Sequence, residues 1–288
     1  MEHVSWRILV AFYLFLAGLG AGALFLAVAA DLFGRKRYQN ISRVGALIAP
    51  WPVIFGVLLL VIDLGNPLRF WELLIRKGPG LLMFNPISVM SIGTWLVTIF
   101  VILSLLYAVL SIVSWVFDLG DKLRRAVGVV ALPFALLVAV YSGVLLAATP
   151  NLLWNSVFLP AVFSMSALSL GIGGVVIVLA LTHIYKRSIK IDPSIPKLEK
   201  INSQVIFLEL VIIILFLLTR IGSTPMKMII GSGFGLIMWI GIIGLLVVPF
   251  IFSIKGEAKR PQSYLIVSAL ELIGGFCLRY VILIGGQI

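Results

Sequence analysis

Eight long apolar runs divide this chain, and their length decides what it can fold into. A helix needs about 20 mostly apolar residues to cross a bilayer. The runs are Ile8–Ala30, Ala46–Leu64, Ser88–Val113, Ala126–Ala148, Phe158–Thr182, Ser203–Thr219, Gly231–Ile254 and Leu265–Gly285. A membrane barrel would show short alternating segments instead. Composition agrees, since 61% of the 288 residues are hydrophobic and 11% are charged. A soluble domain is about 45–50% apolar and about 25% charged. A soluble enzyme and a disordered chain are thereby excluded, and the single cysteine, Cys277, excludes a disulfide scaffold. The expected fold class is an all-α integral membrane protein of eight transmembrane helices, a single membrane domain over residues 1–288. Too little sequence is left over for a water-soluble catalytic domain, so soluble chemistry points to a partner.

The basic residues set an orientation. Fifteen of the 22 lie in the segments after spans 1, 3, 5 and 7, among them Arg35, Lys36, Arg124, Lys186 and Lys259. The other seven are Arg7, Arg69, Arg76, Lys77, Arg220, Lys227 and Arg279. The positive-inside rule makes the richer side cytoplasmic and places both termini outside. Basic residues scattered over loops do not suit nucleic acid, so lipid is the expected surrounding. A faint repeat accompanies this plan. Gly20 and Gly22 precede Gly171 and Gly173 by 151 residues, and Arg35-Lys36 precede Lys186-Arg187 by the same interval. Residues 1–148 and 149–288 then form two four-helix halves of like orientation.

Histidine is scarce. His3 and His183 fall at opposite membrane faces, whereas a b-type haem takes its axial ligands inside the bundle. No Cys, His, Asp or Glu cluster has metal-ligand spacing, so neither haem nor metal is expected in this chain. The run Ala17-Gly18-Leu19-Gly20-Ala21-Gly22-Ala23 lies within a span, which suits close helix packing and not nucleotide binding. Ionisable residues in a span are costly, about 2.5–3.5 kcal/mol at a helix centre, and point to function. Glu209 and Glu271 each sit about two turns into a span from the cytoplasmic side and are candidates for proton transfer. Near the outer face, Asp63 closes span 2, Tyr141 lies about two turns from the end of span 4, and Arg279 lies near the end of span 8. Arg220 and Arg7 share that depth. An apolar groove ending in a few convergent polar groups is the usual form of a ligand site.

The string Asp63-Leu64-Gly65-Asn66-Pro67-Leu68-Arg69-Phe70-Trp71 carries a resemblance. So do Tyr141-Ser142-Gly143 with the segment from Pro150 to Pro160, and Gly274-Gly275-Phe276-Cys277-Leu278-Arg279-Tyr280. Their order and the eight spans resemble the NrfD/polysulfide reductase membrane-subunit family over essentially the whole chain. The resemblance implies two four-helix bundles and a haem-free quinone-binding anchor of a multisubunit oxidoreductase in a prokaryotic cytoplasmic membrane. It implies docking to a ferredoxin-like subunit carrying several 4Fe–4S clusters, and beyond it a catalytic subunit, often a molybdopterin enzyme. Tyr141 would hydrogen-bond a carbonyl of menaquinone or a related quinone, for a phenol is a donor at neutral pH. Asp63 would exchange protons and Arg279 would polarise the headgroup. The family pattern also implies an asparagine and a histidine on the first helix. This chain has neither there, and Tyr13 and Arg7 are the strong donors near that depth. Arg69, Trp71 and Trp154 are the expected partner-docking residues. The alternative from another class is a proton-coupled secondary transporter using Glu209 and Glu271. Such transporters often show inverted repeats and helices broken at midplane.

Overall fold

The computed structural model describes residues 8–34, 38–63, 88–117, 120–185, 194–255 and 261–287, and every regular element among them is helical. Helices α1 (Ile8–Phe33), α4 (Val89–Phe117), α5 (Asp121–Ala147), α6 (Phe158–Tyr185), α7 (Ser194–Arg220) and α11 (Pro261–Gly285) each match one expected span. The second span is α2 (Gln39–Ile48) followed by α3 (Pro50–Asp63). The join falls where Pro50 and Pro52 each withhold a backbone N–H from the helix ladder. Seven helices, the α2–α3 run among them, are long and apolar enough to cross a membrane.

The remaining expected span, the seventh in chain order, is irregular. The short α8 (Thr224–Gly231) meets α9 (Gly233–Ile242) at 89°, and the Ser232 hydroxyl caps α9 by accepting from the Phe234 N–H. A π-helical turn, Ile243–Val247, then leads into α10 (Val248–Lys255). Pro249 explains that turn: its ring would clash with the carbonyl four residues earlier, and a widened turn makes room.

Two helices form the centre. In their most apolar stretches 67% of α1 and 72% of α6 are buried, against 28% of α7. They meet at Gly22 and Gly171. A Cβ on Gly22 would run into the Ala167 carbonyl, and one on Gly171 into the backbone of Gly22. Small residues let membrane helices approach this closely and gain dispersion contact that lipid cannot match. Around this pair, α1 packs on α3 and α5, and α6 packs on α7 and α11.

Helix ends gather on two faces. On the face of the termini, the Trp154 indole N–H donates to the Ile282 carbonyl at 2.6 Å and the Asn151 amide to the Gly286 carbonyl at 2.6 Å. Arg220 donates there to the carbonyls of Leu152 and Asn155. On the opposite, basic face, Ile41, Val175, Ile195 and Tyr264 share one apolar cluster, and the Lys197 ammonium lies 5.6 Å from the Tyr38 ring centre.

Candidate functional site

Tyr141 and Tyr13 face each other in the first half. Tyr141 descends from α5 with 8% of its surface exposed, and its phenol lies directly on Gly93 of α4. A side chain at 93 would occupy the phenol's own space, so glycine there is what admits the ring. Tyr13, 5% exposed on α1, is within electrostatic reach of Tyr141 and packs against Gly56 of α3. Neither hydroxyl has a hydrogen-bond partner among the described residues. Buried phenols ordinarily find a partner. Both tyrosines belong to the main apolar core, which also holds Val10, Leu14, Val53 and Val97. Asp63, half-buried, ends α3 on the same side as Gly56 and about 10 Å nearer the terminal face. Arg7, Arg69 and Trp71 lie outside the described residues.

Arg279 belongs to a different place. It is 2% exposed, and its Nη1 donates to Ser166 Oγ at 2.8 Å and to the Gly275 carbonyl at 3.1 Å. The guanidinium lies 5.2 Å from the Phe163 ring centre, and its Nη2 rests against Gly18 of α1. Gly18 and Tyr13 are five residues apart, about 140° around the helix. The expected convergence of Arg279 with Tyr141 is therefore corrected: α1 stands between them, and no electrostatic contact joins the two. Position along the spans puts both at the same depth but does not say which side of α1 each occupies.

The two expected carboxyls do lie inside. Glu209 is fully buried and accepts from the Ser169 hydroxyl at 3.0 Å, with Ser166 beside it. Glu271, 1% exposed, accepts from the Asn202 amide with both oxygens at 3.0 Å. Because α7 begins at Ser194, Glu209 sits about 22 Å along it, deeper than two turns. Trp154, expected on a docking surface, is placed otherwise. Its ring is buried at 4% exposure and its N–H is spent on Ile282, so it ties the α5–α6 connection to α11.

Other polar residues escape a reading of the sequence. Asp31 on α1 and Arg124 on α5 form a two-point ion pair at 2.7 and 3.1 Å, both buried. The Tyr107 hydroxyl reaches Asp31 at 3.3 Å and Ser42 at 3.3 Å. Arg124 also donates to Ser114 Oγ at 3.0 Å, which donates to Asp121 at 2.6 Å. Glu199 and Asn202 on α7 are buried too. Positions 199, 202, 206 and 209 repeat at helical spacing, and that stripe is the available signal.

Fold and interior together define a multi-pass helical membrane protein with Asp31, Arg124, Glu199, Glu209, Glu271 and Arg279 held inside the bundle; among the described residues no three His, Cys, Asp or Glu side chains could hold a metal ion. The family model described as polysulphide reductase, NrfD, matches residues 1–288, and the chain belongs to that family. It is 28% identical to the protein NrfD homolog of Haemophilus influenzae over 319 residues, covering 99% of this chain and 95% of that one. It is 29% identical to a polysulfide reductase subunit of Wolinella succinogenes over 310 residues, with the same coverage of each. A partial match, 27% over 177 residues, joins it to an Hdr-like menaquinol oxidoreductase integral membrane subunit of Archaeoglobus fulgidus. That match spans 60% of this chain and 41% of the relative.

Proposed function

We infer that this chain is the haem-free, quinone-reactive membrane subunit of an oxidoreductase complex. It passes electrons between a menaquinone-type quinone and a partner subunit carrying 4Fe–4S clusters, which serves a catalytic subunit of the molybdopterin class. The basic face is cytoplasmic, and both termini and the Tyr13–Tyr141 pair look outward. Family membership supports this over a secondary transporter, and relatives are named as a polysulfide reductase subunit and a menaquinol oxidoreductase membrane subunit.

The observation that carries the reading is the phenol pair. Two buried tyrosines whose hydroxyls have no protein partner among the described residues, within the apolar core, suit a flat apolar headgroup with two carbonyl oxygens. A quinone, when bound, supplies the two-electron, two-proton redox chemistry. Tyr141 donates a hydrogen bond to one carbonyl and fixes the ring's orientation, and Tyr13 supplies a second donor. Gly93 keeps the Tyr141 phenol in place from behind. Asp63, toward the terminal face, exchanges protons with the outer side. Arg279 lies apart from the phenols and serves Glu209 instead. The Glu209 and Glu271 carboxyls hold and move protons on the other side of α1.

The test is Tyr141→Phe in the purified complex. Quinone-linked electron transfer should fall about tenfold, the effect of one hydrogen bond worth about 1.4 kcal/mol in the transition state. Assembly with the partner subunits should be unchanged. Full activity in this variant would remove Tyr141 from the site.

A further inference from the structure

The polar side chains of α6, α7 and α11 are arranged by depth. Measured from the basic face, Glu199 lies five residues into α7, Glu271 ten into α11, Glu209 fifteen into α7 and Arg279 eighteen into α11. At 1.5 Å per residue these are about 8, 15, 22 and 27 Å. Helix α6 runs the other way and meets the upper three levels. Gly173 touches Glu271 Oε2, Ser169 bonds Glu209, and Ser166 bonds Arg279. Asn202, between the first two levels, holds both oxygens of Glu271. Glu271 feels the charge of Glu199 below it and of Glu209 above it, and Glu209 feels that of Arg279.

Two features separate this ladder from an ordinary buried ion pair. Glu271 and Glu209 lie deep in the bundle with one guanidinium above them, and a buried carboxylate without its own cation costs several kcal/mol, whereas one that carries its proton costs far less. Moreover, polar atoms along the ladder are buried without partners: Asn202 Oδ1, Glu209 Oε1, Ser268 Oγ and Arg279 Nε. Their residues are at most 2% exposed. Such atoms call for water as the missing partner. Carboxyls about 7 Å apart in depth are close enough to exchange protons through a single bridging water.

We propose that Glu199, Glu271 and Glu209 form a proton-loading chain, entered from the basic face at Glu199 and stopped at Arg279, with Asn202 as the residue that positions Glu271. Its substrate is the proton itself. Each hop moves one proton from a carboxylic acid through water to the next carboxylate, so only O–H bonds break and form. The fixed positive charge of Arg279, pressed against Gly18 of α1, turns protons back, as an arginine does in a proton-excluding pore. The relay thus ends on the side of α1 away from Tyr13 and Tyr141. The proposal rests on the reading above that Glu209 and Glu271 carry protons, and it adds the entry, the order and the stop.

Infrared hydrogen–deuterium exchange on the full-length protein in liposomes tests this without quinone turnover. The Glu209 and Glu271 carboxyl bands are assigned by Glu209→Gln and Glu271→Gln. In Glu199→Gln, deuteration of both should slow about tenfold. Glu199→Asp, which keeps a carboxyl, should stay close to the unmodified protein. Exchange at the original rate in Glu199→Gln overturns the proposal. Equal slowing in both variants also overturns it, because the carboxyl would not be what matters. Failure of the quinone reading shows elsewhere, as unimpaired turnover in Tyr141→Phe.

Discussion

The two halves of the protein bury polar groups in opposite ways. In the first, Asp31 and Arg124 cancel each other at 2.7 Å, and Tyr107, Ser42, Ser114 and Asp121 close the hydrogen bonds around them. In the second, Glu209 and Glu271 are buried with one deep cation, Arg279, which feels Glu209 alone and whose hydrogen bonds go to Ser166 and the Gly275 carbonyl and not to either carboxylate. A satisfied pair fixes structure; it has no reason to change its protons. An acid-rich ladder with orphaned atoms is a poor fastener and a good proton carrier. The contrast also explains why the phenol pair can work in the first half. The clamp ties α1, α4 and α5 together at the basic face, and the same three helices bring Tyr13, Gly93 and Tyr141 together nearer the other face.

The comparison breaks most readily at the clamp. Arg124→Leu would leave Asp31 buried without its cation, a loss of about 3–5 kcal/mol. Unfolding in mixed micelles should show it. Asp31→Leu with Arg124→Leu should recover most of that loss, because no buried charge then lacks a partner. A double variant as unstable as the single one would mean that the pair does more than balance charge.

Gly93→Ala comes next. Its Cβ would sit where the Tyr141 phenol is, and overpacking of this kind costs about 1–3 kcal/mol. If the clamp makes the first half as rigid as its closed bonding implies, the ring cannot retreat. Quinone-linked turnover should then drop by about tenfold with assembly retained. A fully active Gly93→Ala protein would show α4 and α5 to be loosely held and would blur the contrast between halves.

The crossing helices are legible in the sequence because lipid leaves a polypeptide few alternatives. What lipid hides is the direction of each side chain. A soluble helix shows its buried face as an apolar stripe, but α1 and α6 are apolar all round, so their sequences do not say which neighbour each residue meets. Depth alone groups Arg279 with Tyr141 for that reason, although α1 divides them. The start of α7 is hidden differently. Lys197, Glu199 and Lys200 make Ser194–Asn202 resemble a loop, yet Ile195, Leu198, Glu199 and Asn202 are buried on one face. The 89° bend at Ser232 is invisible too, since a hydropathy average runs straight across it.

The smallest effect tests the second half at one bond. Ser169 has a single hydroxyl proton, yet its oxygen lies 3.0 Å from the Ser166 carbonyl and 3.0 Å from Glu209 Oε2. If Ser169 gives its proton to the carbonyl, Glu209 must be the donor in the other bond, and so must carry a proton. If Ser169 gives it to Glu209, the carboxyl accepts, either as a carboxylate neutralised by Arg279 or through the C=O oxygen of the acid. Ser169→Ala separates these cases at little structural cost, about 1 kcal/mol for one hydrogen bond. A protonated Glu209 would lose a hydrogen-bond partner, and its carboxylic-acid band in the infrared should shift. An ionised Glu209 has no such band to move. A shifted band is the expected result, because a carrier at rest in an acid-rich ladder should hold its proton. A missing band would make Glu209 a partner of Arg279, and the second half would then resemble the clamp of the first.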